Sequence, residues 1–261
     1  MRTIDQLSDL SGKRALVVGG AGHIARAAAE TLQELGATLA LVDVDADAVQ
    51  ARAAELGSIA LQADLRDELA TRSAVRDAAE ALGGLDVLVH AAALVGTSKL
   101  EGWAVDISQQ SVSAWDEALR VNLTSAFVVT QAAQPILARS GSGSVVLFSS
   151  IYGVTAPDFS LYEETGLHNP AAYGASKAGL LQLTRYLATA FAPAVRVNAI
   201  SPGGVERGQP DTFVRRYAAR TPLGRMATEE DLKGAVAYLA SDLSRYVTGH
   251  NLVVDGGWTA W

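Results

Sequence analysis

The sequence predicts an α/β protein: a doubly wound, mostly parallel sheet of about seven strands with helices on both faces. Short runs of β-branched and aliphatic residues alternate along the 261 residues with longer stretches rich in alanine and leucine. Several runs, such as residues 15–18, are apolar at every position, as strands covered on both faces must be. Because no linker, repeat or composition shift interrupts the alternation, we expect one domain over residues 1–261.

The individual elements are predicted from the period of their apolar residues. The expected strands are residues 14–19, 38–42, 58–62, 85–89, 144–148, 195–200 and 252–254. Helical spacing predicts helices over residues 24–35, 46–56, 67–82, 112–138 and 171–190, with a further helix before the last strand. Gly36 and Gly83 follow two of these helices directly, which is typical of a helix end. Residues 152–170 show neither period, and a long loop of this kind is usually functional.

Composition and charge exclude several classes of function. The 28 acidic side chains outnumber the 21 basic ones, and the net charge of −7 argues against nucleic acid or membrane surfaces as partners. The chain has no cysteine, so disulfides and thiolate chemistry are excluded. The four histidines lack metal-ligand spacing, and we predict no catalytic metal. No secretion signal or run of ~20 apolar residues is present, so we expect a cytoplasmic protein.

A glycine-rich turn, Gly19-Gly-Ala-Gly-His-Ile-Ala25, joins the first predicted strand to a helix. Glycine allows a backbone to approach a pyrophosphate closely, and the free N–H groups at a helix N-terminus attract its charge. The turn therefore predicts a dinucleotide site that includes Gly19, Gly22, His23 and Ile24. An ordinary strand-to-helix turn is the alternative.

Two carboxylates bear on the choice of dinucleotide. Asp43 ends the second predicted strand about 20 residues after the turn, where a carboxylate binds a ribose 2′-hydroxyl and repels a 2′-phosphate. No Arg or Lys follows it immediately, so the sequence favours NAD over NADP. The alternative is that Asp43 only caps the helix beginning near Ala46. Asp64, after the third strand, either contacts the adenine or caps a helix.

Tyr173 and Lys177 lie four residues apart at the start of a predicted helix, so their side chains share one face. A tyrosine with an ordinary pKa of about 10 cannot act as a base near neutral pH. A neighbouring ammonium group favours the phenolate and would bring the pKa of the tyrosine into a useful range. At this spacing alone, the alternative is a surface coincidence.

Together these motifs resemble the short-chain dehydrogenase/reductase family, and its Rossmann-like fold, over essentially the whole chain. The remaining matches are Ser149-Ser150, Val121-Asn-Leu123, Asn198-Ala-Ile-Ser-Pro-Gly203 and the C-terminal Val247-Thr-Gly-His-Asn-Leu-Val-Val-Asp-Gly-Gly257. The resemblance implies that Tyr173 is the general acid/base and that Lys177 lowers its pKa and binds the nicotinamide ribose. It also implies that Ser150 orients the substrate oxygen and that Asn122 holds a water in the proton path. The implied cofactor residues are Gly19, Gly22, His23, Ile24, Asp43, Asp64, Leu65, Ala91, Ala92, Tyr173, Lys177, Pro202, Gly203 and Val205.

Two features depart from the short single-domain branch of that family. His23 stands where glycine is usual, and His90-Ala-Ala-Ala93 replaces an Asn-Asn-Ala-Gly motif. Both resemble the longer branch, which modifies nucleotide-sugars, but residues 206–227 are far shorter than the substrate domain of that branch. We therefore expect a short-branch enzyme in which His90 is packed at a strand end rather than catalytic.

The 23 positions from Ser150 to Tyr173 exceed the usual separation in the family. Residues 158–170 carry the surplus, which we expect to lie over the pocket mouth. Substrate loops are thus predicted near residues 152–170 and 204–227, with substrate contacts from Tyr152, Tyr162, His168 and Gly204. The alternative is a solvated loop or one that contacts another subunit.

The leading functional hypothesis is an NAD(H)-dependent oxidoreductase that transfers a hydride between nicotinamide and a secondary alcohol or ketone, with a sugar, sugar acid or polyol as substrate. One alternative is a nucleotide-sugar epimerase or dehydratase that retains its NAD. Another is a non-catalytic dinucleotide-binding protein, against which the intact catalytic residues argue. The resemblance also implies a homotetramer or homodimer, with helices 112–138 and 171–190 at the dimer face and Trp258 and Trp261 at a subunit interface.

Overall fold

The computed structural model describes residues 1–261. Its centre is one sheet of seven parallel strands in the spatial order β3-β2-β1-β4-β5-β6-β7. The strands are β1 (Arg14–Val18), β2 (Thr38–Asp43), β3 (Ile59–Gln62), β4 (Val87–His90), β5 (Gly143–Phe148), β6 (Val195–Pro202) and β7 (Asn251–Val254). The chain runs from β1 to one edge and then returns to β4 and the other edge. A crevice is therefore expected where the order reverses, between β1 and β4.

The helices cover both faces of the sheet, which confirms the predicted doubly wound architecture. They are α1 (Ile4–Ser8), α2 (His23–Glu34), α3 (Ala46–Glu55), α4 (Glu68–Leu82), α5 (Val112–Leu119), α6 (Ser125–Arg139), α7 (Ala171–Ala190), α8 (Asp211–Arg220) and α9 (Lys233–Ala240). None of them is both long and apolar enough to span a bilayer.

Each face of the sheet has its own hydrophobic core because strand side chains alternate between the two sides. Ala15 and Val17 of β1 belong to the core beneath α2, α3 and α9, whereas Leu16 and Val18 belong to the core beneath α4, α6 and α7. Burying one large aliphatic side chain is worth about 1.5–3 kcal/mol. The two cores therefore hold the strand ends, and the loops after them, in fixed positions.

Three helical regions differ from the sequence prediction, and the first is the short helix α1, which was not predicted. The predicted helix over residues 112–138 is two helices, α5 and α6, joined by a π-helical turn at Arg120–Thr124. The helix α8 lies inside a region predicted as loop. Its apolar residues Phe213, Val214 and Tyr217 follow helical spacing, so the signal was present in the sequence.

One of the two C-terminal tryptophans also differs from expectation. Trp258 is 6% exposed, and its ring stacks on Tyr217 of α8 with 4.3 Å between ring centroids. Its burial is therefore internal to one chain and needs no second subunit. Trp261 is 77% exposed.

Candidate active site

The residues predicted to carry the chemistry come together at the carboxyl ends of the strands. Ser150 follows β5, Tyr173 and Lys177 lie in the first two turns of α7, and Asn122 lies in the π-helical turn. The predicted nucleotide residues follow β1, β2, β3, β4 and β6 at the same edge. Parallel strands place all these loops side by side, so one crevice can hold both groups.

The two adjacent serines have different partners. Ser149 Oγ donates to the backbone carbonyl of Lys177 at 2.8 Å. Ser150 Oγ accepts the backbone N–H of Tyr152 at 3.1 Å, and its hydroxyl also hydrogen-bonds the phenol of Tyr173, which favours the phenolate and works to lower the pKa of Tyr173. Ser150 is therefore the serine that can bind a substrate oxygen together with Tyr173.

Lys177 is buried almost completely, with 2% of its surface exposed. Its Nζ donates to the carbonyl of Phe148 at 2.8 Å and lies 5.7 Å from the ring centroid of Tyr173. Burial disfavours the charged form and lowers the pKa of Lys177 to about 7. The amine can therefore gain or lose a proton near neutral pH.

The pKa of Tyr173 differs from the sequence expectation. It is raised above its ordinary value because burial disfavours the phenolate, an effect that outweighs the opposing hydrogen bond from Ser150 and the positive charge of Arg207. Lys177 lies beside the ring rather than at the hydroxyl, and burial weakens its own charge. In the protein alone, Lys177 thus does not bring the pKa of Tyr173 below 10.

Asn122 is fully buried, and both polar atoms of its side chain bind protein groups. Its Oδ1 accepts the N–H of Leu94 at 2.7 Å, and its Nδ2 donates to the carbonyl of Leu94 and to Ser176 Oγ. The side chain therefore ties the π-helical turn to the loop after β4 and to α7. Because both polar atoms of the side chain already have protein partners, a water held at Asn122 would have to bond to another group.

The glycine-rich turn forms a cradle that side chains would fill. Gly19 has φ +81°, and a Cβ added there would lie 2.6 Å from backbone atoms of Ala92. A Cβ on Gly22 would lie 3.1 Å from the carbonyl of Gly19. Gly22 is the N-cap of α2 and offers no side chain to the first N–H groups of that helix. These residues fit the pyrophosphate of a dinucleotide, which needs backbone approach and free N–H donors.

Asp43 braces this turn rather than capping a helix, so the capping alternative is wrong. Its Oδ2 accepts the N–H of Ala21 at 3.0 Å, and its Oδ1 accepts the N–H of Asp45 at 3.2 Å. Asp45 is the N-cap of α3, accepting the N–H of Ala48. Asp43 therefore ends β2 next to the cradle, with its side chain half-buried.

Asp64 does not cap a helix either, since Asp67 is the N-cap of α4. Both carboxylate oxygens of Asp64 accept hydrogen bonds from the guanidinium of Arg66, which lowers the pKa of Asp64. Leu65 beside it is half-buried, as are three further predicted cofactor residues at neighbouring strand ends: Ile24, Ala91 and Ala92.

The segment after β6 is packed against α8. Pro202 ends β6, the N–H of Gly203 donates to the carbonyl of Val254, and Val205 forms a backbone bridge with Ala227. A Cβ on Gly204 would lie 2.8 Å from the ring of Tyr217, and its N–H donates to Tyr217 Oη at 2.6 Å. The absence of a side chain at Gly204 therefore allows α8 to pack closely against this segment. Tyr217, which the sequence did not single out, holds the segment in position.

The predicted substrate loop carries a pair of hydrogen-bonded phenols. Tyr152 Oη and Tyr162 Oη lie 2.7 Å apart, and Asn169 Nδ2 donates to Tyr162 Oη at 2.9 Å. Burial raises the pKa of both tyrosines, so the hydroxyls stay protonated. His168 is exposed and bonds to neither phenol, so it is not part of this group.

The same loop is fastened to α8 by charge and by aromatic packing. Asp158 forms a 2.5 Å ion pair with Arg220, and Arg216 donates to the carbonyl of Glu163. The ring of Tyr162 meets Phe213 edge-on at 5.4 Å between centroids. Residues 158–170 are therefore held in place over the segment that follows β6.

His90 is packed at the end of β4, as expected. Its Nε2 lies 2.9 Å from Ser125 Oγ, and burial lowers its pKa to about 3, so the ring is neutral. No group of three or more histidine, aspartate or glutamate side chains could hold a metal ion.

A buried tyrosine with a serine and a lysine beside it, on the same sheet edge as a glycine-rich turn, is the arrangement expected of a nicotinamide-dependent oxidoreductase. A family model described as enoyl-(acyl carrier protein) reductase matches residues 19–259. The chain belongs to the short-chain dehydrogenase/reductase family, which binds nicotinamide dinucleotides. The resemblance inferred from the sequence is thereby confirmed.

Relatives of the chain are dehydrogenases of alcohol-like compounds. The chain is 36% identical to the probable galactose dehydrogenase of Rhizobium meliloti, over 97% of each chain. It is 34% identical to cis-4-hydroxycyclohexanecarboxylate dehydrogenase of Sinomonas cyclohexanicum, over 94% of this chain and 96% of the relative. The crystal structure of a short chain dehydrogenase from Leptospira borgpetersenii with bound NAD+ is 30% identical with a TM-score of 0.83, covering 99% and 96% of the two chains.

Proposed function

We propose that this protein is an NAD(H)-dependent dehydrogenase/ketoreductase that interconverts a secondary alcohol and a ketone. The observation that carries the proposal is the group formed by Ser150, Tyr173 and Lys177. Two hydroxyls there can share one substrate oxygen, with a buried amine beside the phenol. A secondary alcohol needs this combination, because its oxygen must be oriented while its proton is removed.

The nicotinamide dinucleotide supplies the hydride acceptor or donor and, when oxidised, a positive charge. Gly19, Gly22 and the first N–H groups of α2 would hold its pyrophosphate, and Asp43 its adenine ribose. Ser150 orients the substrate oxygen through its hydroxyl. Tyr173 Oη takes the alcohol proton during oxidation and returns it during reduction. Because the pKa of Tyr173 is raised in the protein alone, the reactive phenolate requires added positive charge in the crevice.

Lys177 has two tasks in this scheme. Its hydrogen bond to Phe148 holds the amine beside the ring of Tyr173, where it can bind the nicotinamide ribose. Its pKa of about 7 allows the amine to pass a proton toward Tyr173 or away from it at neutral pH. The buried Asn122 supports the same region through Ser176, one residue before Lys177.

The preference for NAD over NADP follows from Asp43. Its carboxylate ends β2 beside the cradle, and residues 44–47 contain no Arg or Lys. A 2′-phosphate placed there would meet negative charge without a cation to balance it. The relative that carries bound NAD+ is consistent with this choice.

We infer a hydroxylated ring compound, such as a sugar, sugar acid or polyol, as the substrate. The phenols of Tyr152 and Tyr162, with Asn169, give the loop over the pocket a polar wall suited to several hydroxyl groups. The relatives named for galactose and for hydroxycyclohexanecarboxylate support this class. On this proposal the chain is one domain with substrate loops near residues 152–170 and 204–227.

Exposed aromatic side chains support a homodimer or homotetramer. We propose the cytoplasm as its location. Trp115 of α5 and Phe127 of α6 each expose about two fifths of their surface, and Tyr186 of α7 exposes more. Burying such side chains against a second copy is favourable, so these helices are the proposed dimer face.

A coenzyme reduction assay tests the proposal. Galactose and other sugars, sugar acids, polyols and hydroxycyclohexanecarboxylates are offered with NAD+ or NADP+ while absorbance of the reduced coenzyme is followed. We expect turnover with NAD+, and we expect Tyr173→Phe to abolish it while NADH still binds. Unchanged turnover in that variant would remove Tyr173 from the mechanism. Tightly retained NAD without net NADH from any alcohol would instead favour the epimerase or dehydratase.

A further inference from the structure

Arg207 is a cation between the two halves of the proposed cofactor site. It lies two residues after Val205, and its Nε donates to Glu229 Oε1 at 3.1 Å. The same carboxylate oxygen lies 3.8 Å from Nδ1 of His23, the first residue of α2. One chain of contacts thus links Arg207 to the helix end that offers free N–H groups.

Arg207 also influences the catalytic end of the crevice. Its positive charge acts on the phenol of Tyr173 and favours the phenolate. A dinucleotide with its pyrophosphate at the glycine cradle and its nicotinamide near Tyr173 would therefore have Arg207 close to its phosphates, because the phosphates join the adenine half to the nicotinamide half.

The guanidinium of Arg207 has hydrogen-bond donors that no protein group uses. Its only side-chain hydrogen bond is the one from Nε to Glu229, so both terminal nitrogens are without a protein partner. By contrast, Arg225 uses both terminal nitrogens on Asp231. Arginine binds phosphate oxygens through paired N–H groups, and the edge needed for that contact is free in Arg207.

A cation near α2 would improve the charge balance of a bound pyrophosphate. The N-terminus of a helix contributes only about half a positive charge, whereas a pyrophosphate carries two negative charges. Glu229, close to His23, adds a further negative charge at the same place. Arg207 neutralises Glu229 in the free protein and can turn its free edge toward an anion, since about 30% of its side chain is exposed.

We propose that Arg207, from the segment that follows β6, binds the pyrophosphate of the dinucleotide. The inference rests on the proposed function, because it requires a dinucleotide in this crevice. The segment presents Arg207 to the crevice from a fixed position: Glu206, Arg207 and Gly208 are exposed, while Gln209 Nε2 donates to the carbonyl of Val205 at 2.9 Å. Glu229 competes with the phosphates for the guanidinium.

Binding measurements without turnover test this role. NADH, ADP and adenosine are titrated against the wild-type protein and the variants Arg207→Ala and Arg207→Lys by calorimetry. We expect Arg207→Ala to weaken NADH and ADP binding by about 10- to 100-fold, as for a lost charged hydrogen bond, and to leave adenosine binding unchanged. Arg207→Lys should be intermediate, since lysine keeps the charge and loses the paired donors.

Two further variants separate phosphate binding from a structural role. Glu229→Gln removes the competitor, so we expect ADP affinity to rise by about 2- to 5-fold, opposite in sign to Arg207→Ala. Arg215→Ala is the matched control and should leave all three affinities unchanged, because Arg215 is an exposed arginine of α8 whose side chain hydrogen-bonds Thr212 of its own helix.

The outcomes distinguish the inference from the function on which it rests. Unchanged ADP affinity in Arg207→Ala, or equal losses in Arg207→Ala and Glu229→Gln, would overturn the pyrophosphate role while leaving the dehydrogenase proposal intact. Failure of the wild-type protein to bind NADH would overturn both.

Discussion

Ser149 Oγ donates a hydrogen bond to the backbone carbonyl of Lys177, which ties the end of β5 to the helix that carries Tyr173 and Lys177. The packing around this bond is close: a Cβ on Gly153 would lie 2.7 Å from Ser149 Oγ and 2.8 Å from the same carbonyl. Ser149 thus has a structural task, and its neighbour Ser150 is left to face Tyr173.

This division predicts opposite effects for two alanine variants. Ser150→Ala should lower kcat about 100-fold or more, since the substrate oxygen loses a donor, with little change in NADH affinity. Ser149→Ala should keep kcat within about 3-fold and lower the free energy of unfolding by about 1 kcal/mol, the value of one hydrogen bond. Steady-state kinetics and urea unfolding measure the two quantities. Equal loss of kcat in both variants would contradict the division.

The glycine cradle predicts a loss of dinucleotide binding in Gly19→Ala. The new methyl group would lie 2.6 Å from backbone atoms of Ala92, which cannot yield as a flexible side chain can. Gly12→Ala is the matched control, because Gly12 also has positive φ but has nothing within 4 Å of its added Cβ. Both variants should lose about 1–2 kcal/mol from backbone strain. Only Gly19→Ala should weaken NADH binding, by at least about 10-fold, in a fluorescence titration.

Coenzyme choice is predicted to depend on Asp43 and not on its neighbour. Asp43→Ala should lower the ratio of kcat/KM for NAD+ to that for NADP+ by about 10-fold or more, since it removes both the ribose partner and the repulsion of a 2′-phosphate. Asp45→Ala should leave the ratio unchanged and lower stability by about 1 kcal/mol through loss of the α3 cap. A wild-type protein that uses both coenzymes equally would refute the assignment.

The buried amine predicts a pH-dependent stability. The pKa of Lys177 is about 7 in the folded protein and 10.5 in an unfolded chain, so between these values the unfolded chain binds more protons. The contribution of Lys177 to the free energy of unfolding therefore increases as pH rises from 7 to 10.5. This added stability is lost again as pH falls to 7. Relative to Lys177→Met, the wild type should gain about 2 kcal/mol between pH 7 and pH 9. Urea unfolding at the two pH values checks this, and parallel pH profiles would exclude it.

Local patterns were sufficient for most of the fold and for placing Tyr173 and Lys177 on one helix. Fully apolar strands, helical spacing and the turn at Gly19 depend on neighbours a few residues away, which is why the sequence predicted the sheet and its nucleotide end. Tyr173 and Lys177 are one helical turn apart, so their association was also local. The missed helix α8 had such a pattern, but the turn residues around it obscured the signal.

The tertiary structure decided which of several similar side chains performs each task. Ser149 differs from Ser150 because its partner lies 28 residues away, and Asp43 differs from Asp45 because its partner Ala21 lies 22 residues back. The raised pKa of Tyr173 comes from burial by distant segments. The amino-acid sequence alone determined the architecture and the set of reactive groups, because hydrophobic period and spacing are local properties. Hydrogen-bond partners and burial depend on the folded chain as a whole, and they assigned the roles.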